Sequence, residues 1–234
     1  MNQVILDSEL PETLRDEIIA RGRKRSIRRG QVVIDAGAND REVYLLIEGS
    51  VEVSLVSARG QNMIIRQIGI GALFGEFAAL DGRPRSAAAI AREDSRLIEI
   101  SGDAFLDILR ETPGAGLWLA RQLAEEVRRL TQRHFEMSTM AVTARIQCEL
   151  LHLANTAGIR DDSVLLDPAP THAAIAARIG SHREAVTREF GNLSKLGIIA
   201  QNKRELMIMS VSRLVSEIQR ASGEDFSSEE WMVS

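Results

Sequence analysis

One short run, residues 74–87, combines residue types that suit the binding of a small sugar phosphate. Arg85 can bind a phosphate bidentately, while Ser86 and nearby backbone N–H groups add further donors. Residues 76–80 can form one helical turn, whose N-terminus favours an anion. Glu76 would repel a phosphate but accepts a hydrogen bond from a sugar hydroxyl. The residue types fit equally well an Arg–Glu ion pair on a surface turn.

A second candidate site is a pair of predicted helices joined by a tight turn. Thr171 is expected to cap the first helix, Gly180 to make the turn and Ser181 to cap the second helix. Apolar spacing predicts that one side of the second helix is buried through Val186, Phe190, Leu193 and Leu196. The opposite side presents polar residues on its first turns, namely His182, Arg183, Glu184, Thr187 and Arg188.

This helix pair has the form of a helix-turn-helix, whose second helix enters the major groove of DNA. Arginine matches the O6 and N7 atoms of guanine, and glutamate accepts from the N4 amino group of cytosine. Residues 171–204 hold six Arg and Lys side chains against two glutamates, and such a basic patch favours a polyphosphate. The structural alternative is a helical hairpin that packs against protein.

A long helix is predicted between the two candidate sites. Small and apolar residues follow a heptad spacing there, at Gly116, Ala120, Leu123, Val127, Leu130, His134, Met137 and Ala141. A long helix with so narrow an apolar stripe needs a partner helix, and a second copy of the same chain is the simplest one. The alternative is a helix that packs only on its own barrel.

Residues 30–108 show the period-two alternation of β-strands. Alternation on either side of residues 48–50 predicts a hairpin turn there. Further strands are predicted at 31–35, 62–68, 86–91 and 96–100, and many short strands with this spacing indicate a sandwich or jelly roll. Before them, residues 7–22 are predicted to be helical, with Leu10, Leu14, Ile18 and Ile19 on one face. The basic run 21–29 is expected to be a solvated surface.

The composition excludes several classes of protein. The chain has 234 residues, 44% of them apolar and 26% charged, with a net charge of −4. A single cysteine, Cys148, excludes a disulfide framework and a thiolate zinc or iron–sulfur site within one chain. No apolar run reaches the roughly 18 residues of a membrane span. With no signal-peptide pattern either, the expectation is a soluble cytoplasmic protein. The four histidines are scattered without metal-ligand spacing, so an enzyme is not expected.

The two candidate sites carry the motifs of one known family. Over about residues 25–210, the chain resembles the cyclic AMP receptor protein/FNR (CRP/FNR) family of bacterial transcription regulators. The phosphate-binding cassette of that family, Phe-Gly-Glu followed by Arg-Ser-Ala, corresponds to residues 74–76 and 85–87. Its DNA-reading motif, Ile-Gly-x-x-Arg-Glu-x-Val-x-Arg, corresponds to residues 179–188.

The resemblance implies an α+β fold with three parts. These are an N-terminal β jelly-roll cyclic-nucleotide-binding domain (1–111), a dimerisation helix (112–140) and a C-terminal winged helix-turn-helix domain (141–222), followed by an acidic tail (223–234). The expected partners are double-stranded DNA with a TGTGA-type palindrome, a second copy of the chain and RNA polymerase, with no membrane and no metal. The implied effector is cyclic AMP, with cyclic GMP as a second candidate.

The resemblance also assigns residues to roles. Gly75 and Glu76 would hold the ribose side of the nucleotide, and Arg85 and Ser86 the cyclic phosphate. The full expected nucleotide site comprises Phe74, Gly75, Glu76, Phe77, Arg85, Ser86, Ala87, Leu130 and Thr131. The expected DNA-binding residues are Thr171, His172, Ser181, His182, Arg183, Glu184, Thr187 and Arg188.

One position departs from the pattern of the family. The pair that faces adenine in the family is Thr-Ser, whereas this chain has Leu130-Thr131. Thr131 keeps a hydroxyl that can donate or accept, and Leu130 does not. Strict selection of adenine is therefore not expected, and a regulator of the same family with a different effector, or with none, is the alternative hypothesis.

Overall fold

The computed structural model describes residues 10–56, 62–202 and 204–222. The chain divides into two units, one that ends at Val127 and one that begins at Arg128. Both the predicted acidic tail, 223–234, and the first residues of the predicted N-terminal helix, 7–9, lie outside the described residues.

The N-terminal unit contains the expected jelly roll of two four-stranded antiparallel sheets. The strands are β1 Arg23–Ile27, β2 Val32–Ile34, β3 Val43–Glu48, β4 Val51–Val56, β5 Asn62–Ile68, β6 Leu73–Phe74, β7 Ala88–Ala91 and β8 Ser95–Ile100. One sheet has the order β1-β8-β3-β6 and the other β2-β7-β4-β5. The helices are α1 Glu12–Arg21, α2 Glu76–Asp81, α3 Gly102–Glu111 and α4 Ala115–Thr139, the last of which continues into the second unit.

The predicted hairpin at residues 48–50 is wrong. Strand β3 pairs with β8 and β6, while β4 pairs with β5 and β7, so the turn carries the chain from one sheet to the other. Gly49 has φ +91°, and a side chain there would collide with Ser95. The backbone N–H of Ser50 donates to Ser95 Oγ at 3.2 Å. The turn therefore packs against the start of β8 and does not close a local strand pair.

Strand β3 is buried on both faces, which the alternating pattern did not predict. Val43 and Leu45 pack in the apolar cluster that contains residues of α1 and α3. Tyr44 and Leu46 pack in a second cluster between the two sheets. Helices thus cover the outer face of this sheet, so both side-chain directions of its central strand are apolar. On α1, Leu14 and Ile18 are buried as predicted, but Ile19 is exposed.

The basic run 21–29 was expected to be only a solvated surface, but it contains the edge strand β1. Arg23 and Arg25 of this strand both bind Glu99 of β8, which is 5% exposed. Burial alone would raise the pKa of the Glu99 carboxyl, but hydrogen bonds from the two arginines outweigh it and lower the pKa. The missed strand is therefore held to the sheet by a cross-strand charge cluster.

Acid is expected to weaken the N-terminal unit through Glu99. A carboxyl whose pKa is lower in the folded state stabilises above its ordinary value, which is near 4.5, and loses that contribution as the pH falls below it. Glu99→Gln should therefore lower the free energy of unfolding at pH 7 by about 1–3 kcal/mol. Between pH 6 and about 3, the stability of this variant should also depend less on pH than that of the wild type. Urea unfolding followed by near-ultraviolet circular dichroism tests this. Parallel pH profiles of the two proteins would contradict it.

The C-terminal unit is a helical domain with a small sheet. Its elements are α5 Val142–Ala157, β9 Val164–Leu166, α6 His172–Arg178, α7 Arg183–Lys195, β10 Ile199–Gln201, β11 Leu206–Ile208 and α8 Val211–Ser222. The sheet is antiparallel with the order β10-β11-β9. One apolar cluster joins α5, α6, α7, α8 and the sheet. This arrangement is the expected winged helix-turn-helix, with β10 and β11 as the wing.

The heptad stripe of α4 is largely exposed. Seven of the eight predicted stripe residues lie on α4, whereas Ala141 follows the end of this helix and precedes α5. Leu123 is half-buried and the others are exposed, with 62% of Val127 and 45% of Leu130 accessible. Burying a row of exposed apolar side chains against a partner is favourable, because it removes apolar surface from water.

Across the described ranges, no helix is long and apolar enough to span a membrane.

Candidate functional site

The run 74–87 forms a loop around the short helix α2. Gly75 precedes this helix with φ +84°, a left-handed conformation that favours glycine. The end of the loop is fixed by two backbone hydrogen bonds, in which Arg85 N–H donates to Ala38 O and Gly37 N–H donates to Arg85 O, each at 2.8 Å. The loop therefore has a defined shape before any ligand binds.

The side chain of Arg85 is buried within this loop, with only 3% of it exposed. Its Nε atom binds the carboxylate of Asp40, Nη1 donates to Gly75 O at 2.7 Å, and Nη2 donates to Glu42 O at 2.7 Å. One N–H on each terminal nitrogen is left over, which is the pair that a bidentate phosphate contact uses. Sequence reasoning missed Asp40, because no local pattern connects it with a residue 45 positions later.

Glu76 lies half-buried at the start of α2. Burial is the main cause that raises the pKa of its carboxyl, and the charge of Glu126 adds to the effect. The Glu76 backbone hydrogen bond and the charges of Arg66 and Arg85 oppose it. A hydroxyl that donates a hydrogen bond to such a carboxyl stabilises it, because the new bond replaces the hydrogen bonds to water that burial removed.

The other predicted nucleotide-site residues lie either on the loop 74–87 or on α4. Phe74 is buried between the sheets, where its ring stacks on Tyr44 with 5.2 Å between centroids, so it packs beneath the loop. Phe77 and Ser86 are exposed, and Ala87 is half-buried. Leu130 and Thr131 are exposed on the part of α4 that belongs to the C-terminal unit.

Gly75→Ala is expected to weaken ligand binding strongly. An alanine Cβ would lie 3.0 Å from Glu42 O and 3.0 Å from Nη1 of Arg85, and it would need a left-handed φ. The loop must shift to relieve both, at a cost of about 1–3 kcal/mol. We expect at least about tenfold weaker nucleotide binding by calorimetry. Gly71→Ala is the matched control, since Gly71 has φ +86° but open space around it. Equal losses in both variants would contradict the steric argument.

The predicted helix pair corresponds to α6 and α7. Thr171 Oγ1 accepts from Ala174 N–H at 3.1 Å, which is the expected cap of α6. Gly180 forms the turn with φ +60°. Ser181, however, does not cap α7, which begins after His182 with no side-chain cap. Instead the Ser181 N–H donates to Ala176 O at 2.9 Å and closes the turn.

Two further details differ from the sequence-based expectation. Leu196, predicted to be buried, follows the end of α7 and is 46% exposed. Arg178, counted in the basic patch, donates to the buried carboxylate of Glu149 at 2.9 Å. Lys203, another member of that patch, lies outside the described residues. The patch available on the surface is therefore smaller than the sequence count.

The first turns of α7 present the predicted polar side chains. His182, Arg183, Glu184, Thr187 and Arg188 are all exposed. Within the described ranges, the guanidinium groups of Arg183 and Arg188 make no hydrogen bond or ion pair. His172 is half-buried and tilts against Phe190, and its Nδ1 lies 2.8 Å from Thr187 Oγ1. Because Thr187 donates to Arg183 O, its oxygen accepts from His172.

The described residues hold no group of three or more His, Cys, Asp or Glu side chains suited to a metal ion. The thiol of Cys148 is buried, and burial is the main cause that raises its pKa to about 12. A thiol with that pKa stays protonated and apolar in character, so Cys148 is a packing residue of the C-terminal core.

Two stretches of the chain match known families. Residues 24–112 match the family described as cyclic nucleotide-binding domain, and residues 119–217 match the Crp-like helix-turn-helix domain. Among solved structures, a CooA mutant from Carboxydothermus hydrogenoformans is similar with a TM-score of 0.79 and 18% identity. The alignment covers 91% of this chain and 96% of that one.

Curated relatives are similar over most of their length. The chain is 25% identical to a CRP-like cAMP-activated global transcriptional regulator of Mycobacterium tuberculosis, over 80% of this chain and 84% of that protein. It is 28% identical to the transcriptional regulator SdrP of Thermus thermophilus, over 85% of this chain and 95% of that protein. With the cassette around Arg85 in a jelly roll and a Crp-like helix-turn-helix after the long helix, the chain belongs to the CRP/FNR family of transcription regulators.

Proposed function

We propose that this protein is a homodimeric transcription regulator that a cyclic nucleotide switches between states of different DNA affinity. The main support for this proposal is the environment of Arg85. Its guanidinium is buried and donates to three acceptors, and one N–H on each terminal nitrogen remains for a phosphate. Glu76 beside it supplies the acceptor for a ribose hydroxyl. The relatives with similar sequences are named as transcription regulators, which fits a protein that is not an enzyme.

The proposed effector is cyclic AMP, with cyclic GMP as the second ligand to be tested. A cyclic nucleotide-binding domain and relatives named as cAMP-activated regulators support this class of ligand. Leu130 carries no hydroxyl where the family has one, so selection between the two purines rests on Thr131. The same departure favours the second candidate function, a regulator of this family with another effector or none.

The proposed dimer forms through α4. Its exposed heptad stripe is the surface, and the partner is a second copy, since the stripe is complementary to itself in a coiled coil. Two copies would present two α7 helices about 34 Å apart, one turn of DNA. We propose a TGTGA-type palindrome as the site, with Arg183, Glu184 and Arg188 as the base readers.

A ligand can shift this equilibrium only by its differential affinity for the DNA-binding state. A nucleotide that binds the cassette and reaches Thr131 would favour the state in which these residues lie close together. The proposal also includes activation through RNA polymerase at residues 159–167, which contain β9 and carry the exposed side chains of Arg160 and Asp161. This contact follows the resemblance to the family, whereas the proposed cytoplasmic location follows the sequence, in which no apolar run reaches the length of a membrane span.

Three measurements on the full chain test the proposal. Calorimetry with cyclic AMP and cyclic GMP should show binding of at least one of them at micromolar concentration. A gel shift with a TGTGA palindrome should strengthen when that nucleotide is added, and light scattering should give the mass of a dimer. A palindrome shift that neither nucleotide changes would favour the regulator with another effector. Absence of DNA binding or a monomeric mass would overturn the proposal.

A further inference from the structure

A buried charge cluster joins three helices of the C-terminal unit. Glu149 of α5 is 1% exposed and lies between two arginines, Arg133 of α4 and Arg178 at the end of α6. Its Oε1 accepts from Arg178 Nη1 at 2.9 Å, and its Oε2 lies 2.9 Å from Arg133 Nη2. The only covalent connection between α4 and α6 within this unit passes through the whole of α5 and β9. The cluster is therefore a direct contact between helices that are distant in sequence.

The same region holds the end of α6. Arg133 Nη1 donates to Arg178 O at 3.5 Å, and Arg145 Nη1 donates to Ile179 O at 2.9 Å. The last carbonyls of a helix have no partner within it, and cations near them interact favourably with the helix dipole. Side chains of α4 and α5 thus bind the backbone where α6 passes into the turn.

The turn between α6 and α7 also approaches α4 closely. The Cε atom of Met137 lies 3.2 Å from the position of a Cβ on Gly180. Glycine leaves room for this contact at the point where the chain turns. The last turns of α4 therefore touch α6 through Arg133 and the turn through Met137.

The buried charge of Glu149 is paired with two arginines that are partly exposed, by 25% at Arg133 and 18% at Arg178. Removing a charge from water opposes stability, and well-packed apolar side chains of similar volume often stabilise a fold as well or better. Arginine and carboxylate groups instead fix direction, because the planar guanidinium bonds only along its N–H vectors. Burial opposes the ionisation of Glu149, but Arg133, Arg178 and His152 outweigh it and hold the pKa of this carboxyl below its usual value. The cluster is thus charged at neutral pH and suits the control of orientation.

We propose that Glu149 is a positioning residue that, through Arg133 and Arg178, fixes the α6–α7 helix pair against the C-terminal end of α4. The consequence for DNA binding rests on the function proposed above. A change in the position of α4 would then act on α6 directly and would not have to travel through α5. None of the exposed side chains of α7 takes part in this contact.

The two halves of the cluster differ. Arg178 makes a hydrogen bond to Glu149, whereas Oε2 of Glu149 accepts no hydrogen bond in the described part of the chain and meets Arg133 as an ion pair. Arg133 is also the more exposed of the two arginines. The contact to α4 is therefore the weaker half and the one that separates first when α4 moves.

Two readouts on the full chain test the proposal. Hydrogen exchange measures the opening of residues 172–182, and gel shifts measure the ratio of palindrome affinities with and without cyclic nucleotide. Glu149→Gln should speed exchange there and lower this ratio, each by about tenfold. Glu136→Gln is the matched control, because Glu136 is also a buried carboxylate, at 4% exposed, and in the described residues its ion pair is with His152 of α5 at 3.2 Å and not with α6. It should leave both readouts within about twofold.

Arg133→Gln keeps the test decisive if Glu149→Gln does not fold. This variant removes the contacts of Arg133 with Glu149 and with Arg178 O but leaves the Arg178–Glu149 and Arg145–Ile179 bonds in place. Exchange within α6 should therefore rise less than in Glu149→Gln, while the affinity ratio falls. A merely structural cluster predicts the opposite, a lower melting temperature with an unchanged ratio, and that result would overturn the proposal. If the wild-type protein shows no ligand-dependent DNA binding, the proposed function fails, whereas exchange around the turn still decides the role of Glu149.

Discussion

Arg85→Leu is expected to abolish the response to cyclic nucleotide. Two charge-assisted hydrogen bonds to the phosphate disappear, which corresponds to about 3 kcal/mol or roughly a hundredfold loss of affinity. The structure adds a second effect, because Gly75 O and Glu42 O lose their donor and Asp40 loses its ion pair. The N-terminal unit should also become less stable, by about 2–4 kcal/mol. Calorimetry and urea unfolding of the same preparation separate the two losses.

Arg83→Leu is the matched control for this experiment. Arg83 lies two residues earlier on the same loop, and its side chain is exposed. The same substitution there should change neither stability nor affinity by more than about 0.5 kcal/mol. An Arg85→Leu protein that binds and responds like the wild type would refute the assignment of Arg85 to the phosphate. Equal losses in both variants would show that only the net charge of the loop matters.

Arg183→Ala is expected to lower affinity for the palindrome by about 1–3 kcal/mol and to relax the choice of base at one guanine. Arg183 opens α7, is exposed and makes no ion pair in the described ranges, so its removal leaves no protein group without a partner. The loss should therefore appear in binding and not in stability. Gel shifts against a set of palindromes with one altered base pair, at fixed salt, measure both quantities.

Lys195→Ala provides the comparison at the other end of α7. Lys195 is exposed and lies about 18 Å along the helix from Arg183. If it contributes at all, it should lower affinity for every sequence alike, as a phosphate contact does. Base reading by Arg183 would be refuted if its alanine variant also lost the same affinity on all sequences.

Much of the architecture was predictable because its signals are local. The spacing of apolar residues predicted the long helix and the helix pair, and glycine at residue 180 marked the turn. The strands predicted at 62–68 and 96–100 from alternation and turn residues correspond to β5 and β8. Thr171 as a cap depends only on its nearest neighbours. Interactions within one element or one turn depend on residues that are close in sequence, so they can be predicted without knowledge of the fold.

The main wrong predictions concern contacts between residues that are distant in sequence. The predicted hairpin at 48–50 was wrong because strand partners are chosen across the whole barrel, where β3 pairs with β8 and β6 and β4 pairs with β5 and β7. The basic run 21–29 contains a strand because Glu99 lies opposite it in the sheet. Arg178, counted in the basic patch, instead binds the buried carboxylate of Glu149, which lies 29 residues earlier in the chain.

The amino-acid sequence alone was therefore enough to determine the long helix, the helix pair, most strands of the barrel and the two motifs that could bind a phosphate and read a base. Only the tertiary structure decided which charges are available. In the fold, Arg178 binds the buried carboxylate of Glu149, and Arg85 binds Asp40 and two backbone carbonyls. Arg183 and Arg188 remain exposed on α7. The physical reason is that a charge acts on whatever lies within a few ångströms, and that neighbourhood is set by the fold and not by position along the chain.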